Sequence, residues 1–213
     1  MSSADPGLPS LAADRPFNFG GYAEQDGTIA GVGFWPRAGA RLIDIIVHYL
    51  IVLFTGMFIG IALVAANHGH ADPVLFAKLR HTGFTGFAFA LLGSVAYHIV
   101  CVTLHGSTLG KMLLSMVVVQ EDGSSCRLKG AVIREFAYFI DAFFFGIIGY
   151  LEMQKSSREQ RHGDNWAHTV VSKRSRVQQN QLRGPGLFVL AFLFGVMFDS
   201  AMLTLGTVVA LSS

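Results

Sequence analysis

Four apolar stretches, residues 42–66, 83–104, 136–151 and 186–211, alternate with polar segments along the chain. The second contains no Asp, Glu, Lys or Arg, and at about 1.5 Å per residue it can cross the ~30 Å of a bilayer's hydrocarbon as a helix. The first and last are longer still. The third is only 16 residues, contains Asp141 and has Arg134 and Glu135 at its entrance. Gly146 and Gly149 offer it a bend. A segment of that kind either crosses or dips in and returns.

Shorter patterns lie between these stretches. Residues 112–119 (MLLSMVVV) precede an Asp122-Gly123 turn signal, and residues 168–172 (HTVVS) form a second β-prone run. If both loops share one side of the membrane, the two runs can pair. The pattern therefore predicts an all-α membrane protein with three to four transmembrane helices, the third segment open to a re-entrant reading, and a small cytosolic β-hairpin. The organisation expected is a disordered polar tail over 1–32, a membrane domain over 33–173, a basic linker over 174–185 and an additional helix over 186–213.

Composition agrees with the pattern. Apolar residues make up 52% of the chain and charged ones 14%, and Phe occurs 18 times, so no polar window could fold as a sizeable soluble domain. In the tail, Asp5 and Asp14 precede the first basic residue, Arg15, and no apolar run with a cleavage site follows. The first span is thus expected to act as its own insertion signal. Cys101 and Cys126 provide no disulfide framework.

The distribution of the 16 Lys and Arg bears on topology. With the N-terminus inside and four crossings, seven lie inside and nine outside; with the third stretch re-entrant, fourteen lie inside and two outside. The positive-inside rule favours the second arrangement. A multi-pass protein of the plasma (inner) membrane with a cytoplasmic N-terminus is expected.

Chemistry must come from polar groups placed in or beside lipid. Arg37, Arg41, Asp44 and His48 fall at intervals of four, three and four, along one helical face. Arg41 and Asp44 are expected to pair directly, which offsets the ~3 kcal/mol that a lone mid-membrane Asp costs on insertion scales. Two readings stay open. Arg37 and Arg41 snorkel to headgroups with Asp44 as partner, or Asp44 and His48 form a cation or proton site. Arg134, Tyr138 and Asp141 share a face in the third stretch, and Asp199 interrupts the last. Asp44, Asp141 and Asp199 are expected to approach one cavity, or else to serve as packing contacts or silent acids. His98 on the second span reads as a packed side chain. His68, His70 and His81, near Asp72, have no helical spacing, so no metal site is assigned.

Gly56 and Gly60 form a GxxxG, with small pairs Gly86/Ala90 and Ala191/Gly195 on other spans, which suits close helix packing or self-association. The expected partners are the lipid bilayer, anionic headgroups at the basic loops, and a second copy or another membrane protein. Nucleic acid is not expected, because the basic loop 155–183 lacks interleaved aromatics. The string His105-Gly106-Ser107-Thr108-Leu109-Gly110-Lys111 falls one residue short of a phosphate-binding loop. No nucleophile–base set, cofactor motif or HExxH is visible, and these absences point away from an enzyme.

Three strings, GFWPRAGARLIDIIV, HGSTLGKMLLSMVVVQEDGSSCRLKGAVIREF and QRHGDNWAHTVVSK, together resemble the RDD family of membrane proteins, named for an arginine and two aspartates. The likeness spans about residues 33–173. It implies that Arg37, Arg41 and Asp44 are motif residues, with Asp141 or Asp164 as the second aspartate. Gly106, Gly110, Lys111, Asp122, Gly123 and Arg134 match the middle loop, and Thr169 the closing segment. Asp199 lies beyond the likeness. Some members of that family look like cation/proton antiporters, and eukaryotic relatives resemble scaffold subunits of membrane protein-degradation complexes. The resemblance thus implies either a small cation/proton transporter or a non-transporting scaffold.

Overall fold

A computed structural model describes residues 29–80, 83–141 and 146–212. Among the described residues, three helices are long and apolar enough to cross a bilayer. They are α1 (Phe34–Ala66), α3 (Gly83–His105) and α8 (Pro185–Ser212), with a short α2 (Pro73–Arg80) between the first two. At about 1.5 Å per residue all three exceed the hydrocarbon thickness, and α1 projects well beyond it. Their outer faces are apolar and exposed, as at Leu50, Phe58, Phe87 and Phe194, which is the composition lipid requires.

The polar segments form a second layer at one end of these helices. After α3 come α4 (Leu109–Leu113), β1 (Met116–Gln120), α5 (Leu128–Asp141), α6 (Ile147–Lys155), α7 (His162–Trp166) and β2 (Thr169–Lys173). The two strands pair antiparallel, with Val118 opposite Val171. The strands carry buried side chains on both faces. Met116 and Val118 join Val32, Ala40, Val102, Ala131 and Val171 in the principal core, while Val117 and Val119 pack with Val177, Ile29 and Leu182.

Several boundaries differ from expectation. Met112 and Leu113 lie in α4, and Ser115 at φ 54° separates that helix from the strand. The strands are not a hairpin, since α5, α6 and α7 lie between them. Asp122-Gly123 does turn the chain, but it produces only an isolated bridge, Val119 to Ser125. Residues 29–32, expected in the polar tail, are packed: Val32 donates its N–H to Val171 at 2.9 Å. Residues 1–28 lie outside the described residues.

The third apolar stretch is broken. α5 ends at Asp141, α6 begins at Ile147, and Gly146 between them has φ 85°, a conformation that disfavours any side chain. The helices have 14 and nine residues, each too short to span. Because β1 precedes them and β2 follows them in one sheet, α5–α6 returns to the face from which it starts. Lys and Arg then concentrate on that face, leaving Lys78 and Arg80 at the far end.

α3 and α8 pack most closely, through small residues. A Cβ on Gly195 would lie 2.8 Å from the Tyr97 ring, and one on Gly206 2.6 Å from Phe89. Gly56 and Gly60 meet nothing within 4 Å, so the GxxxG of α1 is not used in packing among the described residues. Single cysteines introduced by Lys129→Cys and Ser157→Cys should react with an impermeant maleimide from one side of sealed vesicles, and Gly69→Cys from the other. Opposite sidedness of Lys129→Cys and Ser157→Cys would show that α5–α6 crosses.

Candidate functional site

Asp164, completely buried on α7, is the meeting point of the polar layer. Its two carboxylate oxygens bind Arg37 from α1 and Arg134 from α5, and the Arg161 N–H donates to Oδ2 at 3.2 Å. Arg37 also donates to the carbonyls of Val32 at 2.7 Å and Glu159 at 2.8 Å, and Arg134 donates to Thr169 Oγ1 at 2.7 Å. One carboxylate thus fastens the start of α1, the middle of α5 and the start of β2. Burial alone would push Asp164 up. The two guanidiniums and Arg161 outweigh it and hold the carboxyl well below the usual range.

A second group lies toward the membrane. Arg41 donates to Glu135 at 2.9 Å and its guanidinium lies 4.0 Å above the Tyr138 ring. Against burial, His98, Arg41 and Lys111 hold Glu135 at about 2. Asp44, fully buried, accepts from Thr108 Oγ1 at 2.6 Å and from the Gly110 N–H at 2.8 Å. The near-phosphate-loop string therefore cradles a carboxylate of the chain itself. Gly110 is required there, because a Cβ would collide with the Ala40 carbonyl. His98 stands between the two acids, Nε2 3.7 Å from Asp44 and Nδ1 3.9 Å from Glu135. Its Nδ1 lies 2.8 Å from the Ser94 carbonyl, which fixes the proton there and leaves Nε2 facing Asp44.

The expected Arg41–Asp44 pair is therefore replaced by two cross-helix contacts. An Arg three residues from an Asp on one helix gains more from reaching another element that must bury its own charge. His48 likewise does not join Asp44. Its Nδ1 lies 2.7 Å from Asp199 Oδ2 on α8. Asp199 is fully buried, its Oδ1 has no hydrogen-bond partner among the described residues, and Gly93 backs directly onto it. Close by, Thr55 donates to Ser200 at 3.0 Å. The three carboxylates do not meet in one cavity. Asp141 lines a cavity of about 380 Å³ together with Arg41, Lys111 and Glu135, whereas Asp199 sits on the α1–α8 seam. Asp141 is buried against His162, Nδ1 3.1 Å away, and Arg161, Nε 3.9 Å away.

Lys111 borders that cavity, and burial lowers its ammonium to about 8 although Asp44 opposes the shift. Gly106 turns the chain at φ 86° between α3 and α4. Asp122 and Gly123 belong to one turn, in which Asp122 is exposed and its Oδ1 accepts from the Ser124 N–H at 2.8 Å, while Gly123 is buried against Gln181. Thr169 bonds Arg134. His68 and His70 are exposed at the far end, and His81 lies outside the described residues. Glu135, His98 and Thr108 were not singled out from the sequence as site residues. No spacing links Arg41 to Glu135, and only the Gly-Ser-Thr-x-Gly-Lys string pointed to the loop under Asp44.

The sequence model of the RDD family matches residues 32–168. The chain belongs to the RDD family. The matched region contains both charge groups, so within this RDD protein Asp164 and Asp44 anchor a common core, and Asp199 lies outside it. No curated protein and no solved structure matches.

Asp164→Asn removes the one carboxylate that pairs with both buried guanidiniums and should destabilise the detergent-solubilised protein by about 3–5 kcal/mol, read as a fall in thermal midpoint. Asp164 and Glu135 have depressed folded-state values. Their contribution is complete above the unfolded values of 3.8 and 4.5 and is lost as pH falls toward the folded ones. The thermal midpoint should therefore hold level from neutral pH down to about pH 5 and drop below that.

Proposed function

We propose that this protein is a small cation/proton transporter, non-enzymatic, that works through intramembrane carboxylates. One observation carries the reading: titratable and polar side chains follow one another from the charged face into the helix bundle. They begin with Glu135 and His98 beside the first cavity and pass to Asp44. His48 stands one helical turn further along α1, about 6 Å away, paired with Asp199. The Thr55–Ser200 hydrogen bond comes next. A second cavity of about 290 Å³, lined by Gly56, Gly60, Gly86 and Thr207, lies beyond.

The chemistry suits proton exchange. His98 Nε2 faces Asp44 and Nδ1 lies near Glu135, so a proton can pass between groups that already face one another. Asp199 has one unbonded oxygen able to take a proton or a cation. Keeping such acids in apolar surroundings has a cost that packing alone does not require. Three spans do not enclose a path by themselves, so a homo-oligomer belongs to the proposal. So do a plasma-membrane location, a cytoplasmic N-terminus under the positive-inside rule, and anionic headgroups at the exposed Lys155 and Arg176.

The purified protein in vesicles holding a pH-sensitive dye should move protons when Na⁺ or K⁺ is added outside. Asp44→Asn and Asp199→Asn should reduce that movement to the level of empty vesicles while keeping a thermal midpoint close to that of the parent. Absence of flux with the unaltered protein for both cations would remove the transporter reading and favour the scaffold. Flux untouched by either substitution would remove the carboxylate path.

A further inference from the structure

We propose that the cavity between α1, α3, α5 and α6 binds the phosphate headgroup of an anionic lipid, with the acyl chains leaving past Leu42 and Ile45 into the bilayer. The cavity measures about 380 Å³. A water occupies about 30 Å³ in the liquid, so a bare ion would leave most of this space empty, while a phosphate ester fits.

The wall chemistry is divided. Its polar part carries Arg41, Lys111 and Arg161 against the acids Glu135 and Asp141, with Arg37 and Arg134 behind, already committed to Asp164. Glu135 is neutralised by Arg41. Asp141 faces His162 and Arg161. Two cationic groups remain incompletely used. The Lys111 ammonium makes a long 3.5 Å hydrogen bond to Thr108, and Arg161 Nε is buried without a hydrogen-bond partner among the described residues. Burial penalises the Lys111 charge, and that penalty lowers its ammonium. An oxyanion between them would relieve it and accept their hydrogen bonds.

The remaining wall is apolar, from Phe34, Val102 and Met153, and this suits the glycerol and first methylenes of a lipid better than a hydrated ion. The mouth includes Leu42 and Ile45, one turn apart on α1 and exposed by 60% and 42% on its lipid-facing side. A ligand that enters there comes from the bilayer. Trp35, also exposed, stands at the same end of α1, where aromatic rings favour the headgroup level.

The test uses delipidated full-length protein in neutral detergent and reads its thermal midpoint. Phosphatidylglycerol should raise the midpoint by about 5 °C, while phosphatidylcholine and inorganic phosphate should not. Lys111→Gln and Arg161→Gln should abolish that rise, and Lys111→Arg should retain it. Lys78→Gln, exposed on α2 away from the cavity, should leave it unchanged. Leu42→Trp leaves the cationic cluster intact and narrows the exit, so it too should abolish the rise, and it decides the matter if Lys111→Gln does not fold. An equal rise in Lys111→Gln and Arg161→Gln, or loss of the rise in Lys155→Gln alone, would place lipid at the basic loops and overturn the proposal. An equal rise with inorganic phosphate would make this a free-anion site and overturn the lipid assignment. None of these readouts involves ion flux, so failure here is separable from failure of the transporter reading.

Discussion

The carboxylate of Asp164, held between the guanidiniums of Arg37 and Arg134, constrains everything above it. A buried ion pair gains little over a well-packed apolar core, but a buried charge stripped of its partner is costly. Once Arg37 is placed on the first turn of α1, Asp164 must come to it, and with Asp164 comes α7. Arg134 then brings α5, and Thr169 brings β2. The entry point of α1 into the membrane, the return of α5–α6 and the closure of the sheet are three consequences of satisfying one acid.

The same logic extends one turn deeper. Asp44 would be expensive in hydrocarbon, and its cost is offset by a hydroxyl and a backbone N–H from the loop after α3. That loop can approach only because Gly110 has no side chain against Ala40. Arg41 is then free to reach Glu135, and His98 is left between two acids. Polar satisfaction rather than hydrophobic packing thus sets the register of α1 against α3 and α5 at this end of the molecule. Away from it, α3 and α8 associate by the close fit of small residues against Tyr97 and Phe89.

The three spanning helices were legible because hydropathy reports directly on the solvent each segment must meet. For the third stretch the sequence left a crossing and a return both open, and its 16-residue length, internal Asp141 and the placement of Lys and Arg tilted the balance to the return. The partners of the charges were less so. Helical spacing places Arg41 near Asp44, but it says nothing of Glu135, 94 residues away in sequence. It also places His48 near Asp44, whereas the shorter contact runs to Asp199, 151 residues away. Periodicity resolves contacts along one helix, and these polar groups are satisfied between helices. The strands were found with their ends misplaced, because Met112 and Leu113 are as compatible with the last turn of a short helix as with a strand.

The position of Asp199 bears on how the last helix relates to the rest. The family match ends at residue 168, and α8 lies beyond it, yet His48 lies inside it. In a bundle without α8, His48 would face either lipid or another polar group on a second copy. With α8 present, Asp199 takes that role and Gly93 on α3 makes room for its carboxylate. The helix is therefore not a passive anchor. It completes a polar contact that the matched core begins, and it does so with an acid whose remaining oxygen is unbonded. Asp199 thus ties α8 to α1 through His48 and to α3 at Gly93, so the last helix meets both other spans through one polar side chain.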